Sequence, residues 1–87
     1  MAKQWVRPDT VMVSDLGDEV VLLDTATRAM HTLNRTGRVV WMSIEDGIDA
    51  AVDRVAAQFA VDADTARRDV VELVDGLVAS GLLVERG

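Results

Sequence analysis

Leu22-Leu23-Asp24-Thr25-Ala26-Thr27-Arg28-Ala29-Met30-His31-Thr32-Leu33-Asn34-Arg35-Thr36-Gly37-Arg38-Val39-Val40-Trp41 changes its hydrophobic period halfway along. Up to Leu33 the stretch reads as two short strands around the polar turn Asp24-Thr25-Ala26-Thr27. From Asn34 onward, Val39, Val40, Trp41 and Ile44 form an apolar group that needs a core to enter, and the stretch reads as a helix. Asn34 suits the N-cap, because its side-chain oxygen can accept from the free N–H groups of a first turn. The stretch therefore predicts a hairpin that feeds directly into a helix. It places the strand Arg28–Leu33 next to the helices, where it can form the edge of its sheet.

On the N-terminal side, Met1–Pro8 reads as a flexible polar arm with Trp5 and Val6 as tethers, and Pro8 marks where a strand begins. Thr10–Ser14 is short and β-rich, and Asp15-Leu16-Gly17-Asp18 is a turn. Glu19–Asp24 carries consecutive apolar residues, Val20 to Leu23, which predict burial on both faces and hence the central strand. With Ala29–Leu33 this makes a three-stranded antiparallel meander. On the C-terminal side, the first helix runs to Ile44 and stops at Gly47. A second helix spans Ile48–Phe59, with Ile48, Ala51, Val52, Val55, Ala56 and Phe59 on one face. Asp62 caps a third helix that ends near Ser80-Gly81. The tail Leu82–Glu85 reads equally as a short strand or as coil.

The third helix is the most informative. At about 100° per residue, Ala66, Val70, Leu73 and Leu77 share one stripe, and Val71, Val74 and Val78 make a second beside it, with Arg67 inside the second. Together they span roughly 160°, wider than the roughly 100° that one-sided packing requires. One reading is a well-buried helix in a small protein. The other is that the first stripe faces the core and the second lines a groove.

The chain has 87 residues and reads as one domain, 1–87, with a single modest core and no large enclosed active site. Trp5, Trp41 and Phe59 are the only aromatics, so Val, Leu, Ile, Ala and Met must build the core. There is no cysteine, which excludes disulfides, thiol nucleophiles and thiolate metal sites. Neither a signal peptide nor a run approaching the roughly 20 apolar residues of a membrane span is visible, so a cytoplasmic protein without membrane contact is expected. The net charge of −6 disfavours phosphate backbones and anionic lipid. The charge is uneven: Asp9 to Asp24 holds five acids and no base, and Arg28 to Arg38 three bases and no acid.

No chemistry stands out. His31 is the only histidine, without a nucleophile partner or motif around it. Asp62, Asp64 and Asp69 lack the glycine and terminal glutamate of a calcium loop, and no glycine-rich phosphate loop is present. No enzyme activity and no cofactor are expected, and binding is the remaining class of function.

Three strands followed by three helices give an α+β fold, winged helix-turn-helix-like in outline. The details go further. Leu22-Leu23-Asp24, Leu33-Asn34-Arg35-Thr36-Gly37 and Val40-Trp41, then Asp46-Gly47, Phe59-Ala60-Val61-Asp62, Asp69-Val70 and Gly81-Leu82-Leu83, resemble the PqqD-like family from about Val11 to Val84. The resemblance implies a recognition element for ribosomally made peptide natural products. The leader of a precursor peptide would add as a strand beside the third strand and lie against the third helix. A free-standing acidic member of this size looks most like the leader-binding partner of a lasso-peptide leader peptidase, with the cyclase of the same pathway as a further candidate partner. Where family members often carry Gly and aromatic residues in the third strand, this chain has Arg28-Ala29-Met30-His31.

The residues point the same way. An uncovered strand offers N–H and C=O groups for strand addition, and apolar pockets on the third helix add specificity. Leu33 must enter the core, so alternation puts Ala29 and His31 on the helix side and Met30 and Thr32 opposite. The resulting peptide-binding set is Arg28, Ala29, Met30, His31, Thr32, Leu33, Arg67, Val71, Val74, Asp75 and Val78. The rival class is a winged-helix DNA-binding regulator. Charge disfavours it, because the third helix sets Arg67 and Arg68 against Asp64, Asp69, Glu72 and Asp75, and no nucleic-acid partner is expected.

Overall fold

The computed structural model describes residues 3–86. Strand β1 (Gln4–Val6) is followed by the meander β2 (Val11–Asp15), β3 (Val20–Asp24) and β4 (Met30–Leu33). Helix α1 (Arg35–Ser43) continues through a 3₁₀ turn at Ile44–Asp46 into α2 (Ile48–Phe59), and α3 (Ala63–Ala79) leads to β5 (Val84–Arg86). The meander has the order β2-β3-β4, antiparallel throughout, so β3 is central and both β2 and β4 are edges. This is the expected α+β architecture, a three-stranded antiparallel sheet followed by three helices.

The local signals act where they were read. Asn34 Oδ1 accepts from the Gly37 N–H at 2.9 Å and Asp62 Oδ1 from the Thr65 N–H at 2.8 Å, satisfying donors that open each helix. Gly37 also permits close approach: a Cβ there would sit 3.0 Å from Leu33 Cβ. α1 can thus start directly against the last residue of β4. Gly47, at φ 103, turns the chain from the 3₁₀ turn into α2. Asp24 is buried, yet its carboxylate accepts from the Ala26 N–H at 2.8 Å and the Thr27 N–H at 3.4 Å, so the charge is solvated by the turn it organises.

The core gathers Val20, Leu22 and Leu33 from the sheet, Val39, Val40, Trp41 and Ile44 from α1 and the turn after it, Ala51, Val52 and Val55 from α2, and Ala66, Val70, Val74 and Leu77 from α3. Two expectations fail here. β3 is buried on one face only: Val20 and Leu22 are wholly enclosed, while Leu23 is 37% exposed. Helices cover only the inner side of the sheet, and on its outer side Met12, Leu23 and Met30 stand opposite one another across the three strands, all exposed. The arm expected over 1–8 is, over Gln4–Val6, a strand paired antiparallel with Val84–Arg86, which also resolves the tail as strand. Trp5 packs on the core, Lys3 bonds Glu85 at 2.9 Å, and the Arg7 guanidinium lies over the Trp41 ring and bonds Glu45. Residues 1 and 2 of that expected arm lie outside the described residues.

Candidate functional site

The meander has one edge that adjoins a helix-walled hollow, the edge formed by β4. Ladder parity decides which backbone groups β4 offers. Asp24 N–H donates to Ala29 C=O at 2.8 Å, and hydrogen-bonded pairs recur at every second residue of an antiparallel ladder. With the register Leu22–His31 and Val20–Leu33, the groups of Ala29, His31 and Leu33 face β3. Those of Met30 and Thr32 face outward. Their N–H and C=O groups have no strand partner among the described residues, so one more strand can form four main-chain bonds here.

The side chains alternate as expected. Ala29 and His31 are half-buried on the helix side and Leu33 is fully buried, whereas Met30 (68% exposed) and Thr32 project outward. Arg28 sits at φ 64 in the turn, its N–H donating to Asp24 C=O at 2.7 Å, so it precedes the ladder. It can adjoin an added strand only at the strand's end.

Where β4 passes into α1, a hollow of about 230 Å³ opens between Asn34, Thr36 and Gly37 on one wall and Asp69 and Leu73 of α3 on the other. This corrects the reading of α3. The buried face is Ala66, Val70, Val74 and Leu77, and it cuts across both proposed stripes. Val74, expected to line a groove, is 2% exposed and belongs to the core. Leu73, expected in the core stripe, is half-buried and lines the hollow. Val71 and Val78 are half-buried on the opposite flank, the one that carries Arg67 at the same angular position about the helix. Arg67 bonds Asp49 of α2 at 2.8 Å, and Asp75 lies on the side of Lys3, whose positive charge is held mainly by Glu85 and to a smaller degree by Asp75. Arg67, Val71, Val74, Asp75 and Val78 are therefore not brought together with β4. Asp69 and Leu73 are instead brought together with Asn34, Thr36 and Gly37, the residues that follow β4. A signal for Leu73 existed: it stands at the margin of the apolar arc, next to Asp69 rather than Arg67.

A larger hollow of about 490 Å³ lies elsewhere, between β1, the 3₁₀ turn, the start of α2 and Arg67. Its acids are neutralised in place, Glu45 by Arg7, Asp46 by Arg54 and Asp49 by Arg67. On the β2 side of the meander, Arg38 grips Asp15 with two bonds of 2.9 and 2.7 Å and, together with the Gly17 N–H, lowers its pKa to about 2. Among the described residues no group of three His, Cys, Asp or Glu is placed to hold a metal, and no helix is long and apolar enough to cross a membrane.

Comparison with known proteins fits this geometry. A solved structure described as TbiB1 in complex with the TbiA(beta) leader peptide superposes with a TM-score of 0.81 at 30% identity, over 88% of this chain and 92% of that one. A lasso peptide synthetase B1 complexed with the leader peptide superposes at 0.82 over 93% and 98%, and at 20% identity it attests the fold alone. No curated protein sequence matches the chain. The family model for Coenzyme PQQ synthesis protein D (PqqD) matches residues 19–83, which takes in β3, β4, all three helices and both walls of the hollow; the chain belongs to the PqqD family.

Proposed function

We propose that this protein holds the leader segment of a ribosomally made precursor peptide as a fourth strand on β4, and does so without catalysis. The observation that carries the reading is the outward main chain of Met30 and Thr32 beside a hollow walled by α3. A relative of 30% identity was solved with a leader peptide, which supports the same ligand class here. Main-chain pairing supplies affinity with little regard to sequence, and the hollow selects side chains. In a lasso-peptide pathway in the cytoplasm, the bound leader would be handed to a leader peptidase and then to the cyclase. The protein contributes position, not chemistry: among the described residues the acids of the larger hollow are tied up in ion pairs, and no group of three His, Cys, Asp or Glu is placed to hold a metal.

The test is amide exchange with a synthetic precursor leader peptide that the protein binds in calorimetry. Exchange at Met30 and Thr32 should slow at least about tenfold, as for donors that gain a strand partner, and the Leu73 methyl signals should shift. Protection confined to Val11 and Val13, or absent from the sheet, would overturn the reading. Duplex DNA should bind more weakly than the usual non-specific range of about 10⁻⁴–10⁻⁶ M. The acidic surface and the engagement of Arg67 with Asp49 leave α3 without a basic face.

A further inference from the structure

The hollow beside β4 contains one charge. Asn34 contributes a side chain already committed to its cap, Thr36 a hydroxyl, Gly37 backbone and Leu73 an apolar surface. Asp69 is the remaining group, exposed and, among the described residues, without an ion-pair partner. Its carboxylate is therefore free to meet a charge brought by a ligand. Other acids also lack a partner, but Asp69 is the one that lines this hollow. The arginines nearest in sequence to the α1 wall are also engaged elsewhere: Arg38 holds Asp15, and the Arg35 guanidinium lies 6.0 Å over the Phe59 ring.

We infer that Asp69 and Leu73 select a peptide bearing a basic side chain, Lys or Arg, two positions from an apolar one. The inference rests on strand addition at β4 and states which leaders that edge accepts. The spacing follows from two periodicities. Asp69 and Leu73 are four residues apart on α3, a rise of about 6 Å along one helical face. In a strand, residues two apart point to the same side and lie about 6.6 Å apart. A strand paired through Met30 and Thr32 therefore turns alternate side chains toward the helix side, where His31 also points, and two consecutive ones match the acid and the leucine. The apolar side chain shields the adjacent ion pair from water, which strengthens it relative to one on an open surface.

Selection from a random-peptide library displayed on mRNA, against the full-length protein, tests this and does not require the sequence of the natural leader. Three baits are used: wild type, Asp69→Asn and Asp69→Lys. Asp69 is exposed, so the variants should give unchanged circular-dichroism spectra and melting. Wild type should enrich sequences with Lys or Arg two positions from Leu, Ile, Val, Met or an aromatic residue. Asp69→Asn should lose the basic preference at least tenfold and keep the apolar position, and Asp69→Lys should exchange the preference for Asp or Glu. In calorimetry, a selected peptide and its Lys→Gln version should differ at least fivefold in Kd on wild type and less than twofold on Asp69→Asn. A basic preference unchanged across the baits, or none on wild type, overturns the assignment to Asp69 while leaving strand addition standing. Enrichment of no peptide that protects the Met30 and Thr32 amides would remove strand addition, and this inference with it.

Discussion

The meander has two open edges, and they are not equivalent. β2 and β4 each pair with β3 on one side only. By the same ladder parity, β2 turns the main chain of Val11, Val13 and Asp15 outward, and β4 that of Met30 and Thr32. Both strands place exposed methionines, Met12 and Met30, on the outer face of the sheet. The difference lies beside them. β4 runs directly into α1 and adjoins the hollow shared with α3, whereas β2 ends at Asp15, locked to Arg38. Free hydrogen-bonding groups on an edge make pairing possible, and an adjoining helix wall makes it selective.

The largest effect should come from the core face of the helix that walls the hollow. Val74→Asp buries an unpaired carboxylate at a position 2% exposed and should cost more than about 4 kcal/mol, much of the roughly 5–15 kcal/mol that holds a domain this size together. Leu73→Asp, whose charge reaches water through the hollow, should cost less than about 2 kcal/mol and weaken apolar selection instead. Thermal melting followed by circular dichroism separates the two. Equal losses would mean that Leu73 is ordinary core and that the wall distinguishing β4 from β2 does not exist.

A matched pair of prolines compares the edges directly. Met30→Pro and Val13→Pro each remove an outward N–H without touching the ladder to β3, and edge strands tolerate proline in that orientation. Both proteins should fold. Leader affinity measured by calorimetry should fall by about 1–2 kcal/mol for Met30→Pro, through the lost hydrogen bond and the ring in its place, and stay unchanged for Val13→Pro. The reverse pattern would move the peptide to β2.

The smallest effect concerns what ties down the far end of β2. Asp15 is held at a pKa of about 2, first by Arg38 and then by the Gly17 N–H, against an ordinary value of 3.8. A depressed carboxylate pKa stabilises the folded state at pH values above the unfolded pKa, and this contribution is lost as pH falls through the folded one. Between about pH 4 and pH 2 the melting temperature of wild type should therefore drop more steeply than that of Asp15→Asn. Parallel curves would show that the Arg38 contact adds nothing to the fold, as many exposed ion pairs do not. Leader binding should not depend on this contact.

Much of the molecule is written in short-range pattern. The change of period at Leu33-Asn34, the caps at Asn34 and Asp62, the stop at Gly47 and the central place of β3 all follow from residues within a few positions of one another. So does the alternation that turns Met30 and Thr32 outward, because strand parity is fixed once Leu33 is in the core. The rotation of α3 about its axis is a different kind of quantity. Its apolar arc is wide enough to be seated in more than one way, and contacts with α1, α2 and the sheet choose the seating that buries Val74 and leaves Leu73 facing the hollow. The pairing of β1 with β5 is likewise decided by residues at opposite ends of the chain, which no local periodicity relates. Sequence by itself determined the elements from β2 to α3, their order and the open edge. The tertiary structure alone decided which flank of α3 meets that edge, because helix rotation and non-local pairing are set by burial summed over distant parts of the chain.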